Sequence, residues 1–257
     1  MGTIKNDKIE KEKLLIIFDE IQECPDALNS LKYFCEDAND YHVVAAGRIL
    51  LVFKSLVTQL SKENEKFIYG CVKQGARARE FEVAIEWLVS ARLVLRIYDV
   101  KKNWHPLKAF EDFSSFKLFF FDVGLAKCAA QVENKQIVLD SDFQFKGVLS
   151  ENYCLQQFHA NLENDIHYYS PAQNYEVNFL LQDEMSIIPV ECKSDGNVAS
   201  ASFKRYRREE KPELAIRFSQ LEYKEQNDMI NLPLYLAGRI GLLTKNTPSF
   251  HPKHAEF

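Results

Sequence analysis

The first strongly patterned segment is Leu14–Phe18 (LLIIF), a continuous apolar run that stops abruptly at Asp19 and Glu20. That is the pattern of a strand buried on both faces whose carboxyl end opens into a crevice. After the turn at Glu23, Cys24 and Pro25, residues Ala27, Leu28, Leu31, Phe34, Cys35 and Ala38 recur at helical spacing, with Pro25 suited to the first turn. His42–Ala46 is a second short apolar strand, ending at Gly47. Together these predict a strand–helix–strand unit with parallel strands and a right-handed crossover.

From Ser61 to Ala130 the texture changes. A helix from about Glu80 to Ser90, apolar at Phe81, Ala84, Ile85 and Leu88, runs into a strand at Leu93–Val100, a Lys-Lys-Asn turn and a second strand near Phe116–Phe121. Helix followed by hairpin predicts a winged-helix-like module. The polar stretch Glu133–Asp142 reads as a linker. Beyond it the pattern predicts a helix from about Gly147 to Asn161, a hairpin of His167–Ser170 and Glu176–Gln182, a strand at Ile187–Lys193, a basic helix at Ala199–Glu209 and a strand at Leu214–Phe218. That order is an α/β sandwich in miniature. No internal repeat or low-complexity tract is visible.

The bulk properties narrow the function little. With 257 residues, 46% of them hydrophobic and 27% charged, the chain has ordinary globular composition. A formal charge of -5 argues against coating nucleic acid by charge alone, though a local basic patch is compatible with it. The six cysteines stand singly, without a C-x-x-C pair or a secretory signal before them, so reduced, buried thiols are expected. No apolar run reaches the ~18 residues of a membrane-spanning helix. A soluble cytoplasmic protein without a membrane partner is expected.

LLIIFDE has the form of a Walker B strand, in which Asp19 would hold Mg²⁺ and Glu20 would orient or deprotonate an attacking water. An apolar strand ending in two acids is also a common solvated strand end. The companion G-x-x-x-x-G-K-[ST], whose backbone amides and Lys bind phosphates, does not occur in the sequence. Lys73, Arg77, Arg79, Arg92 and Arg96 offer basic groups around the helix and hairpin; Arg77 and Arg79 are the candidates for nucleic-acid contact, against the alternative of a solvated helix face paired with Glu80 and Glu82. Lys204, Arg205, Arg207 and Arg208 form a denser cluster, offset by Glu209 and Glu210, that reads as another solvated face. The six histidines have no metal-ligand spacing apart from the pair in the terminal HPKH, and are read as structural or exposed.

The run FDEIQECPDALNSLKYFCEDANDYHVVAAG resembles the Walker B-to-sensor segment of a family of predicted AAA-type ATPases, in which a P-loop domain is followed by a winged helix and a C-terminal domain of unknown function. KFIYGCVKQGARAREFEVAIEWLVSARLV, FKLFFFDVGL, FKGVLSENYCLQQF, IPVECKSD, PELAIRFS and NLPLYLAG match further along in the family's order. The resemblance implies ATP and Mg²⁺ as cofactors of intact members, with Asp19 and Glu20 as catalytic residues and Asp19 as the nucleotide-associated metal ligand. The sequence departs from the family in two places: the P-loop segment is missing, and the chain passes from Gly47 straight to the segment before the winged helix. A truncated or degenerate homologue follows, with no autonomous ATP hydrolysis and no tightly bound cofactor.

The expected architecture is therefore α/β. Residues 1–55 are a partial ATPase core, 56–132 a winged-helix-like module, 133–240 a restriction-endonuclease-like domain and 241–257 a tail. In the endonuclease-like domain the two-residue strand period places Glu191 and Lys193 on one face, an E-x-K arrangement in which Glu191 would bind a metal and Lys193 would position water. By resemblance, Glu151 supplies the helix carboxylate, and the strand delivering a metal-binding Asp carries Asn178 instead. An amide oxygen coordinates a hard cation without contributing charge, so weak metal affinity is expected unless Glu176 or Glu151 compensates. The expected partners are DNA, or another copy or another protein covering the apolar ATPase remnant. The alternatives to an inactive ATPase homologue are a DNA- or protein-binding module and a weak metal-dependent nuclease.

Overall fold

The computed structural model describes residues 15–18, 42–45, 47–62, 66–139, 143, 145–183, 186–194, 200–226 and 228–244. The chain divides into two compact units, residues 1–55 with 69–90 and residues 56–68 with 91–257.

In the first unit β1 (Leu15–Phe18) and β2 (His42–Ala45) pair in parallel, with Leu15 opposite His42 and Phe18 opposite Ala45. The two apolar runs thus pair as their pattern predicts; Asp19, Glu20 and the helix expected over 27–38 lie outside the described residues. Helix α1 (Arg48–Ser61) follows directly on Gly47, whose φ of 91° favours glycine. A short turn, α2 (Tyr69–Val72), precedes α3 (Ala78–Ser90), which buries Phe81, Ala84, Ile85 and Leu88, the four positions marked by the sequence period. The Glu80 carboxylate accepts the Arg77 backbone N–H at 3.2 Å, half of a capping box. Arg48 Nη1 donates to the Glu80 carbonyl at 3.0 Å, tying the start of α1 to the start of α3.

The second unit is built on one mixed sheet of eight strands in the order β4-β3-β5-β6-β7-β8-β10-β9. Its strands are β3 (Val94–Val100), β4 (Glu111–Phe120), β5 (His167–Ala172), β6 (Tyr175–Asp183), β7 (Ser186–Cys192), β8 (Ala215–Ser219), β9 (Lys224–Gln226) and β10 (Met229–Pro233). β3–β5, β7–β8 and β8–β10 are parallel, and the other four pairings are antiparallel. The hairpin β3–β4, expected in a module at 56–132, does not stand apart as a wing. β3 pairs with β5 through Tyr98 opposite His167 and Asp99 opposite Tyr168, so the hairpin completes the sheet of the C-terminal strands. An unpaired strand edge is costly, and the apolar β3 finds its second neighbour in β5.

Three other elements depart from expectation. The stretch read as a linker contains helix α5 (Asn134–Leu139), after α4 (Val123–Ala130). β9 and β10 were not foreseen, because Asn231 and Pro233 interrupt the apolar run of MINLP although every residue of β10 is buried.

Helix α6 (Lys146–Asn161) places Cys154, Leu155 and Phe158 in one apolar cluster with Phe179, Val190, Ile216 and Phe218. Helix α7 (Ala201–Glu210) places Phe203 and Tyr206 in a second cluster with Val177, Ala215 and Met229. Adjacent residues of β8, Ala215 and Ile216, fall in different clusters, so the strand's two-residue period divides a sheet with α7 on one face and α6 on the other. Cys154 and Cys192 are buried as expected, whereas Cys71 is half-buried and Cys128 exposed. No helix among the described residues is long and apolar enough to cross a membrane.

Candidate functional site

The site follows from how α6 is anchored. Asn152 is fully buried; its Oδ1 accepts the Phe120 N–H at 2.9 Å and its Nδ2 donates to the Phe120 carbonyl at 3.0 Å. An amide side chain thus serves the end of edge strand β4 in the manner of a strand neighbour. Glu151, the preceding residue, lines a cavity of about 380 Å³ together with Lys117 of β4, Glu176 and Asn178 of β6, Glu191 of β7 and Lys193 just beyond it. The four residues proposed from sequence for the endonuclease-like constellation are therefore brought to one cavity.

Each of these six residues already has a partner. Asn178 Nδ2 donates to Glu151 Oε1 at 3.0 Å, and Asn178 Oδ1 accepts the Cys192 backbone N–H at 3.0 Å. Lys193 Nζ lies 3.0 Å from Glu191 Oε1, and Lys117 Nζ lies 2.5 Å from Glu176 Oε1. Lys117 also sits 5.1 Å over the Tyr168 ring, whose hydroxyl is 3.0 Å from Ser115 Oγ. Glu191 is 3% exposed and faces Arg217 of β8 in register. Lys117 and Glu176 were not singled out as a pair; a lone Lys inside the apolar run Phe116–Phe121 was the available signal.

Burial pushes the Glu151 carboxyl up to about 7; Lys117 and Lys193 oppose the shift, while Glu176 and Glu191 add to it. Among the described residues the cavity wall carries three carboxylates, Glu151, Glu176 and Glu191, and three ammonium groups, Lys66, Lys117 and Lys193. This donor set does not suit the divalent metal that the endonuclease resemblance implies. A metal site needs uncommitted, convergent oxygens carrying net negative charge. Here the amide oxygen serves a backbone N–H, two carboxylates are paired to lysines and the third accepts the Asn178 amide. Among the described residues no group of three or more His, Cys, Asp and Glu side chains is disposed to hold a metal ion.

The remaining sequence candidates lie elsewhere. Arg77 and Arg79 are exposed residues of the first unit, at the start of α3. Arg96, by contrast, stacks over Tyr98 at 5.1 Å and so is engaged in the second unit's sheet. His167 is buried, with Nε2 2.8 Å from Glu111 Oε1.

Neither the curated proteins nor the solved structures offered a match to this chain. Residues 29–136 match a domain of unknown function (DUF8612). Residues 146–235, which carry Glu151, Asn178, Glu191 and Lys193, match a domain of unknown function (DUF4143), a domain often found with AAA ATPases.

Proposed function

We propose that this chain is a AAA-type ATPase homologue that works as a DNA-binding module, without hydrolysing ATP by itself and without cutting its target. The observation that carries this reading is the Asn178 amide, which bridges Glu151 and the Cys192 N–H where a metal-dependent nuclease would need a carboxylate. The match to a domain often found with AAA ATPases supports the family assignment, and the absence of G-x-x-x-x-G-K-[ST] from the 257 residues supports the lack of autonomous hydrolysis. Asp19 and Glu20 keep the form of the Walker B acids, with Asp19 as the residue that would hold Mg²⁺ in an intact member. Arg77 and Arg79, exposed at the start of α3, are the residues assigned to DNA phosphates.

The purified chain is tested with duplex DNA, with ATP·Mg²⁺ and with Mn²⁺. Salt-dependent retardation that is lost in the R77A/R79A double variant is expected, together with no cleavage and no ATP binding at micromolar concentrations. Mn²⁺-dependent cleavage that disappears in Glu191→Ala, or micromolar ATP affinity, would overturn the reading. Retardation unchanged in R77A/R79A would remove those two residues from it.

A further inference from the structure

On the α7 side of the sheet, the second unit has another cleft, of about 360 Å³, formed by α7 with β8, β9 and β10. Ser200, Lys204, Arg207 and Arg208 line it from α7. Arg207 and Arg208 lie three and four residues beyond Lys204, and Lys204 four beyond the N-cap Ser200, which puts them along one face of that helix. Arg217 lines it from β8, and among the described residues Asp228 is the one carboxylate in its wall. Asp228 is committed: Arg207 Nε donates to its Oδ2 at 3.0 Å, and Arg207 Nη2 pairs with its Oδ1. Arg208 reaches Glu209 only at 3.5 Å, and that carboxylate is held by Arg205 at 2.9 Å. The cleft is therefore strongly cationic on a chain whose formal charge is -5.

Arg217 is the informative residue. It is only 9% exposed and lies in a strand, AIRFS, whose residues are all buried, a place where an apolar side chain would meet the needs of packing. Its guanidinium is held by a buried scaffold: Nε donates to Asn231 Oδ1 at 3.0 Å, and Ser219 Oγ donates to the same oxygen at 2.8 Å. Asn231 is 1% exposed, and its Nδ2 donates to the carbonyls of Leu221 and Glu222 at 3.2 and 2.9 Å. Burial and the neighbouring Arg207 guanidinium disfavour the charge on Arg217, and Glu191 across the strand pair favours it. A planar donor fork oriented by buried groups, with further cations at an open mouth, is the chemistry that recognises a tetrahedral oxyanion.

We propose that this cleft binds a phosphate group, with Arg217 as the oriented donor at its floor and Lys204 and Arg208 at its mouth. The phosphate belongs either to a small phosphorylated molecule or to a nucleic-acid backbone; both present the same oxygens. The inference uses none of the residues assigned to DNA above, so it does not rest on that reading.

The test is calorimetric titration of the full chain with pyrophosphate at low ionic strength, with matched chloride as control. Saturable binding is expected, weakened roughly tenfold or more in K204E/R208E, whose residues are exposed and outside the core. Arg217→Lys keeps the charge but not the fork and is expected to weaken binding as well, with circular dichroism checking its fold. No saturable binding, or undiminished affinity in K204E/R208E, overturns the proposal. A short duplex that competes with pyrophosphate identifies the phosphate as a backbone one; a duplex that does not compete identifies a small phosphorylated ligand. Loss of DNA retardation in R77A/R79A with pyrophosphate binding intact leaves this inference standing, and the reverse result leaves the DNA reading standing.

Discussion

Asn178 donates its side-chain amide to Glu151 across 3.0 Å, and that one contact sets the character of the cavity. A carboxylate at position 178 would stand against Glu151 with no donor between them, which requires either a shared proton or a cation. Asn178→Asp is therefore expected to lower stability by roughly 1–3 kcal/mol in chelator. It is also expected to create a response to Mn²⁺ that the parent chain lacks. Thermal unfolding with EDTA and with Mn²⁺ reads both effects; equal melting temperatures in the two buffers would show that the missing carboxylate is not what keeps metal out.

Glu151 and Asp99 set a pH dependence of stability. Burial raises Glu151 from 4.5 to about 7 and Asp99 from 3.8 to about 6. The folded state holds these protons over a range in which the unfolded chain has released them, so stability falls as pH rises from about 4 toward 7 and levels off above. For Glu151 the whole effect is on the order of 3 kcal/mol at most. Glu151→Gln keeps an acceptor for Asn178 and is expected to flatten the slope. Urea denaturation across that interval measures it, and an unchanged slope in the variant would assign the dependence to other groups.

Asn152 completes the end of β4, so its loss is expected to be felt at the Phe120 N–H and carbonyl that it bonds. Asn152→Leu should cost roughly 2–4 kcal/mol, because the Phe120 N–H and carbonyl both lose their side-chain partner. A urea midpoint close to that of the parent would mean that the strand end finds other partners.

The buried pair of His167 and Glu111 makes a similar prediction with a built-in control. Glu111→Ala removes the acceptor 2.8 Å from His167 Nε2 and should cost roughly 1–3 kcal/mol, whereas Glu111→Gln retains an acceptor and should cost about 1 kcal/mol or less. Equal losses in the two variants would point to packing and not to the hydrogen bond.

Much of the fold was legible from periodicity. Phe81, Ala84, Ile85 and Leu88 announced the buried face of α3, and the runs at β1 and β2 announced a parallel pair, because helical and strand periods are local properties of the chain. The E-x-K spacing likewise brought attention to Glu191 and Lys193, which meet at 3.0 Å. The placement of the β3–β4 hairpin was not legible: which strand lies beside β3 depends on β5, about seventy residues further along, and hydrophobic pattern does not encode pairing partners. β10 was missed for a related reason, since Asn231 looks like an interruption until its contacts with Arg217 and Ser219 are seen.

By itself, then, the sequence determined the helices and strands whose apolar residues repeat at a fixed short period, and it supplied the residue types present at the candidate site. Only the tertiary structure decided what those residues do to one another. It closed the hairpin into the eight-stranded sheet, placed Lys117 against Glu176, turned Asn178 into a donor to Glu151 and held Arg217 on Asn231. The physical reason is range: secondary structure follows from neighbours a few positions apart, whereas the charge, burial and hydrogen bonding of a site are set by groups that meet only when distant strands come into register.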